Sequence, residues 1–418
     1  MKPPHTPLPL VVLLGLLIAL PAVGTDLFVP ALPHLAGALE ASVGAAQVTL
    51  TLYFIGLAAG QLIWGPLSDR YGRKPILVGG LGIMLGASIA ATLMESVAAV
   101  AAARLAQGLG MSSGALIGRT IVRDLYAHEQ AAKLLSSMSI VFSAVPIAAP
   151  LAGAALVGAA GWTAVFAGMA AVAILLLGAV VPLRETAPAQ RRSVLPGEIA
   201  RTYRAILGDR RFINPYLIFL CAQIGILAWV SNSAFTLVSG LGVSTAAYGM
   251  MFATVMLGQV LGAWSSSRLV MRLGIPRMLR LGAALMLAAG GAMATFAWLG
   301  ASHWLAVVAP FVLFLYGTAL IVPNATAAIM TPFPATAGAA SSLIGFIGFS
   351  CGALVSTGLG AAFDGTARPM ATVAAAAGLC AFLFEVPAAW KSLTRSWSAP
   401  GRSASPWRAA SPCPGARW

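Results

Sequence analysis

Charge is what this sequence has least of. Only 9% of its residues are charged, 11 acids against 25 bases over 418 positions. A soluble globular domain is excluded, because 59% hydrophobic residues carry more apolar surface than one interior can hide. Histidine is equally scarce, and His5, His34, His128 and His303 show no metal-ligand spacing. Of the four cysteines, Cys221, Cys351 and Cys380 fall in apolar runs and Cys413 near the end of the chain, a pattern of free thiols rather than of ligands or disulfides. No Gly-x4-Gly-Lys-Ser/Thr phosphate loop occurs, so ATP is not expected to power this chain and no cofactor is expected.

What is present is apolar sequence in long runs. Mean hydropathy is +0.89, and about 20 apolar residues suffice for a helix to cross ~30 Å of hydrocarbon. In lipid every backbone amide needs an internal partner, and runs without polar alternation exclude strands, so the spans are expected to be helices. Twelve can be read, at 9–29, 46–66, 76–94, 97–118, 134–156, 162–182, 212–238, 246–267, 277–299, 304–329, 339–362 and 369–390. The fold class expected is an all-α membrane protein of twelve transmembrane helices in two six-helix bundles. Leu8 to Val23 is read as the first span rather than a cleaved signal, since its loss would invert every later loop.

Threaded alternately through a membrane, these spans put all but two of the 25 Lys and Arg residues on one side. The exceptions are Arg104, inside the fourth span, and Arg368, on the opposite side. That bias predicts cytoplasmic termini by the positive-inside rule, and it explains the net charge of +14 without nucleic acid. The expected divisions are a cytoplasmic N-terminus over 1–8, a first bundle over 9–182, a linker over 183–211, a second bundle over 212–390 and a tail over 391–418. The linker is the longest polar interval and carries seven arginines with Pro188 and Pro196. The tail, rich in Pro, Ser and Arg, is expected to be disordered. An offset of about 200 residues pairs Gly60-Gln61 with Gly258-Gln259, Arg70-Tyr71-Gly72 with Arg272-Leu273-Gly274, and Leu77 and Gly80 with Leu279 and Gly282. Parallel six-span repeats place a substrate site near the midplane between halves.

The densest charge lies in the turn Gly65-Pro-Leu-Ser-Asp69-Arg70-Tyr-Gly72-Arg73-Lys74-Pro75. This turn resembles motif A of the major facilitator superfamily, and the chain from about residue 10 to 390 resembles the Bcr/CflA group of drug:proton antiporters. The likeness includes Thr25-Asp26-Leu-Phe-Val-Pro30-Ala-Leu-Pro33, Arg104-Leu-Ala-Gln107-Gly108, Arg123-Asp124-Leu-Tyr126, Ala149-Pro150-Leu-Ala-Gly153, Pro323-Asn324 and Ala337-Gly338-Ala-Ala-Ser341-Ser342. Two departures matter. The fifth-span antiporter motif has Ala149 where the family has the glycine of its Gly-Pro core, and the second-half copy of motif A lacks an acid at the place of Asp69, so any charge latch should be asymmetric.

Asp26 is the one acid expected well inside a span. A carboxylate is costly in low dielectric, which suits a group that loads and releases a proton, and the resemblance implies that role for it. Arg104 is the one base buried in a span and demands a partner or an aqueous cavity, for which Asp26 is a candidate. The resemblance implies that this arginine tunes the proton site. Gly65, Asp69, Arg70, Gly72, Arg73, Lys74 and Asp124 are expected to form a conformational latch at the cytoplasmic ends, acid-base pairs holding one bundle against the other while Gly65 and Gly72 permit close approach and a tight turn. Pro146, Pro150 and Gly153 would allow a kink and a close interface between halves. Phe28, Tyr53, Trp229, Asn232 and Asn324 are candidates to line a central substrate cavity.

The reading is a non-enzymatic, proton-driven exporter of small amphipathic compounds such as antibiotics, in a bacterial inner membrane, working as a monomer with protons, lipid and substrate as its partners. An exporter of a metabolite such as a sugar or amino-acid derivative fits the same fold. A non-transporting sensor is a third reading, and would be expected to carry an extra soluble domain, which this sequence lacks.

Overall fold

The computed structural model of the chain describes residues 8–126, 128–187, 196–333 and 336–385. The expected tail over 391–418 and part of the expected linker lie outside them. Among the described residues all regular structure is helical. The elements are α1 (Leu8–Asp26), a 3-10 turn (Val29–Ala31), α2 (Leu32–Ala38), α3 (Val43–Tyr71), α4 (Arg73–Thr92), α5 (Val97–Leu125), α6 (His128–Ala160), α7 (Ala164–Val180), α8 (Pro196–Leu207), α9 (Arg210–Ala234), a π turn (Phe235–Gly240), α10 (Thr245–Trp298), α11 (Leu305–Met330), α12 (Ala337–Ala361) and α13 (Arg368–Glu385).

Each expected span falls on a helix over its described residues, the last as far as Glu385 with 386–390 outside them, and there are two differences of boundary. The eighth and ninth spans are one continuous element, α10, broken only where Gly274 takes φ 76°. The ten residues 268–277 contain three arginines, which are good helix formers, and only Gly274 leaves helical backbone there. The first span ends its α-helix at Asp26, because Pro30 and Pro33 follow and the chain passes through a 3-10 turn before α2. Inside the interval read as a polar linker lies α8, whose Ile206 is buried and whose Tyr203 bonds Ser342 of α12. Its apolar residues, Ile199, Tyr203 and Ile206, recur at helical spacing between the arginines.

The internal repeat is visible in the backbone. Gly72 and Gly274, paired by the sequence offset, both hold positive φ (105° and 76°) between two helices. A Cβ on Gly80 would strike Ser113 and the Gly110 carbonyl, and one on Gly282 would strike the Gly317 carbonyl and Ile321. Each glycine thus marks an equivalent close crossing, α4 on α5 and α10 on α11.

The two halves meet along two seams, α3 against α12 and α6 against the first part of α10. On the first seam Gly44 lies against Gly360, Phe54 against Gly352 and Gln61 against Gly345. Polar contacts crowd its end remote from the charged turn. Gln47 Nε2 donates to the Ser231 carbonyl at 3.2 Å and to Asn232 Oδ1 at 3.3 Å, and the Thr51 and Thr357 hydroxyls are 3.1 Å apart. On the second seam Gly249 of α10 faces Ala154 and the Pro150 carbonyl of α6. That end also carries a bond between His34 Nε2 and the Thr245 hydroxyl at 2.7 Å.

Candidate translocation site

The break at the end of α1 leaves Asp26 the last residue of its helix, 5% exposed. The Thr25 hydroxyl donates to Asp26 Oδ1 at 2.9 Å. The carboxyl is within electrostatic reach of the phenols of Tyr53 on α3 and Tyr248 on α10, so both halves of the molecule face it. Tyr53 donates to the Pro21 carbonyl at 2.9 Å, tying α3 to α1, and Tyr248 lies 2.8 Å from the Ser233 hydroxyl of α9. A Cβ on Gly153 would strike the Leu27 carbonyl, so the fifth-span motif lets α6 run against the residue after Asp26. Pro150, one turn earlier, is on the seam with α10, and Pro146 is half-buried on the same helix.

Arg104 is fully buried on α5. It does not pair with Asp26. Its Nη2 donates to the Gly24 carbonyl at 2.8 Å and its Nη1 to Gln107 Oε1 at 2.9 Å. The guanidinium lies between two rings, 4.4 Å from the centroid of Phe28 and 4.0 Å from that of Tyr53. Aromatic faces and a helix-end carbonyl stand where Asp26 was a candidate partner, directly or through water, and both stabilise a cation without a counter-ion. Gln107 in turn donates to Ser88 Oγ at 2.8 Å, which anchors the site to α4.

The five cavity candidates are all buried, but they do not form one group. Phe28 and Tyr53 flank Arg104 as described. Asn232 accepts from Gln47 across the seam. Trp229 stacks on Phe311 at 4.4 Å in an aromatic row within the second half. Asn324 belongs elsewhere: its Nδ2 donates to Ser266 Oγ at 2.9 Å, bracing α11 to α10 on the side of the arginine-bearing turn.

The charged turn also differs from expectation. Arg73 donates through Nε to Asp124 at 3.0 Å, through Nη1 to Ser68 at 2.9 Å, and forms an ion pair with Asp69. All these partners belong to the first half, so the pairs tie α3, α4 and α5 together rather than one half to the other. Arg70 stacks its guanidinium on the neighbouring Tyr71 ring. Gly72 does need to be glycine for its φ, but Gly65 has open space where a Cβ would stand, so close approach does not explain it.

Sequence reasoning missed Glu185. Its carboxylate accepts the backbone N–H groups of Arg73 at 2.9 Å and Lys74 at 3.1 Å, the first two residues of α4. Burial pushes this carboxyl up, yet the N–H groups of Ala187, Arg73, Lys74 and Thr186 outweigh it and hold the group below its ordinary value of 4.5. The available signal was an acid set among arginines at the end of α7. In the second half Glu385, 200 residues later, instead accepts from Arg280 Nε at 2.8 Å, joining α10 to α13. The two halves are charged differently, as the missing acid in the second copy of the turn implied.

Over residues 14–357 the sequence matches the profile of the Major Facilitator Superfamily. The chain belongs to that superfamily. This superfamily member is 30% identical over 364 residues to a bicyclomycin resistance protein homolog of Haemophilus influenzae, spanning 85% of this chain and 90% of the relative. It is also 30% identical over 340 residues to multidrug resistance protein D of Escherichia coli, spanning 80% and 84%. Among solved structures, a D-xylose-proton symporter superposes with a TM-score of 0.69 at 15% identity, covering 90% of this chain and 96% of the other. A human organic anion transporter gives 0.64 at 20%, covering 92% and 100%. At those identities the likeness speaks to the fold. The superfamily member is accordingly a multi-pass membrane transporter, not an enzyme.

Proposed function

We propose that this transporter exports small amphipathic compounds of the antibiotic kind across a bacterial inner membrane in exchange for protons, by alternating access within a single chain. The names of its relatives support the substrate class, and the surplus of Lys and Arg on one side supports cytoplasmic termini. The observation that carries the coupling is the place of Asp26: a buried carboxyl at a helix break, faced by Tyr53 from one half and Tyr248 from the other.

A carboxyl so placed holds its proton while dehydrated and releases it when compound and water enter. With the remote end closed by the Gln47 seam, compound arrives from the cytoplasm and displaces the proton. Rocking of the halves opens that seam, the compound leaves, and reprotonation from outside favours return. Arg104 follows this cycle because it grips the Gly24 carbonyl, two residues before Asp26, so movement of the α1 break changes its distance from the carboxyl. Arg73, with Asp69, Asp124 and Glu185, keeps α3, α4 and α5 together as one rocking element.

The test is Asp26→Asn in proteoliposomes carrying a pH indicator. Compound-driven proton release is expected to vanish while the variant elutes and melts as the parent does. Undiminished release would overturn the proposal.

A further inference from the structure

Arg368 is the one base that the sequence places on the side remote from the charged turn, and the structure gives it a setting of its own. It opens α13, where the ends of α10 and α12 come together. These elements enclose a groove of about 410 Å³ whose walls include Trp298, Leu359 and Val373, and whose charged members are Asp364 and Arg368. Trp298 and Leu299 are 61% and 79% exposed at the end of α10, where amphipathic and apolar side chains mark the headgroup boundary.

Arg368 and Asp364 attract one another but share no hydrogen bond or ion pair among the described residues. Arg368 Nε donates weakly to the Ala297 carbonyl at 3.4 Å, and the guanidinium lies 5.2 Å from the Trp298 ring. Its two Nη groups make no hydrogen bond or ion pair among the described residues. Asp364 Oδ1 accepts from the N–H and hydroxyl of Thr366, at 2.9 and 2.6 Å, and Oδ2 stands outside those bonds. The Thr366 hydroxyl, against a smaller effect of burial, holds the Asp364 carboxyl below its usual range, so it is anionic.

A cation and an anion fixed four residues apart beside an apolar groove complement a molecule with phosphate and ammonium on acyl chains. We propose that this groove binds a glycerophospholipid with a primary-amine headgroup, its phosphate on the Arg368 Nη groups, its ammonium on Asp364 and an acyl chain along Trp298, Leu359 and Val373. An anionic headgroup would leave Asp364 uncompensated. A quaternary amine would have no N–H to donate to it. The occupant would tie the outer ends of α10, α12 and α13 together.

Native mass spectrometry of the full-length protein, released from micelles holding equal amounts of phosphatidylethanolamine, phosphatidylglycerol and phosphatidylcholine, tests this. One retained phosphatidylethanolamine, favoured about tenfold over either alternative, is expected from the one charge-assisted contact the others lack, ammonium to Asp364. Asp364→Asn is expected to erase the preference over phosphatidylglycerol, and Arg368→Gln to lose retention of both. Gly358→Val is the control for folding, because Gly358 lines the groove and a Cβ there meets nothing within 4 Å. It is expected to reduce retention of all three without touching a charge. Equal retention of the three lipids, a preference for phosphatidylglycerol, or a preference unchanged in Asp364→Asn would overturn the proposal, as would retention unchanged in Arg368→Gln.

Discussion

Replacing Arg104 with lysine keeps a positive charge on α5 and removes only its shape, which makes Arg104→Lys the sharpest test of how that charge is held. The guanidinium reaches the Gly24 carbonyl and Gln107 Oε1 with two different nitrogens while its carbon lies 4.4 and 4.0 Å from the ring centroids of Phe28 and Tyr53. An ammonium is compact and strongly hydrated, and it cannot span both acceptors from between two rings. Losing one bond from a charged donor costs about 1.5–3 kcal/mol, and weaker aromatic contact in a dry site about 1 kcal/mol more. A destabilisation of about 3 kcal/mol, near a hundredfold in equilibrium, is therefore expected. Thermal melting of the purified protein in detergent reads the stability, and efflux from loaded cells reads the function. Arg268→Lys is the comparison, since Arg268 also stands over an aromatic ring, Trp264 at 4.1 Å, but is exposed; it should change neither readout appreciably. If Arg104→Lys melts and transports like the parent, the claim that fork and plane matter at this site is wrong.

Three further outcomes follow from the same contacts. In a background lacking the native cysteines, Thr51→Cys with Thr357→Cys, whose hydroxyls are 3.1 Å apart across the seam, should cross-link on oxidation and arrest efflux until reduced; full transport by the cross-linked protein would show that this seam need not open. Glu185→Gln should lower the melting temperature at pH 7 by an amount that shrinks as pH falls below 4.5: the folded carboxyl sits below that ordinary value, so its contribution is complete above 4.5 and is lost as pH falls through the lower one. A difference between parent and variant that persists in acid would contradict the capping role. Gly282→Val, which drives side-chain carbon into the Gly317 carbonyl, should cost about 1–3 kcal/mol by overpacking, read as a lower melting temperature, whereas Gly291→Val, with open space around it, should not.

Much of the fold was legible because lipid simplifies the code. Runs of about 20 apolar residues must be helices there, and the twelve expected spans coincide with the helical elements. The pairing of Gly72 with Gly274 could be read at an offset because each sits where the backbone needs positive φ. Helix α8 was not legible, since it is short and its seven-arginine surroundings look like polar loop. Asp26 and Arg104 stood out as lone charges in apolar sequence, yet their relationship did not, because nothing in spacing tells a guanidinium whether to seek a carboxylate or two aromatic faces.

Chain order alone therefore determined the helical class, the number of spans, the repeat and two of the buried charges, Asp26 and Arg104, since each depends on local hydropathy and backbone freedom. Packing decided what those charges touch. Arg104 found Gly24 and two rings, Arg73 found Asp124 within its own half, and Glu185 found the start of α4, because each of these contacts joins residues far apart in sequence whose approach is set by how the helices cross.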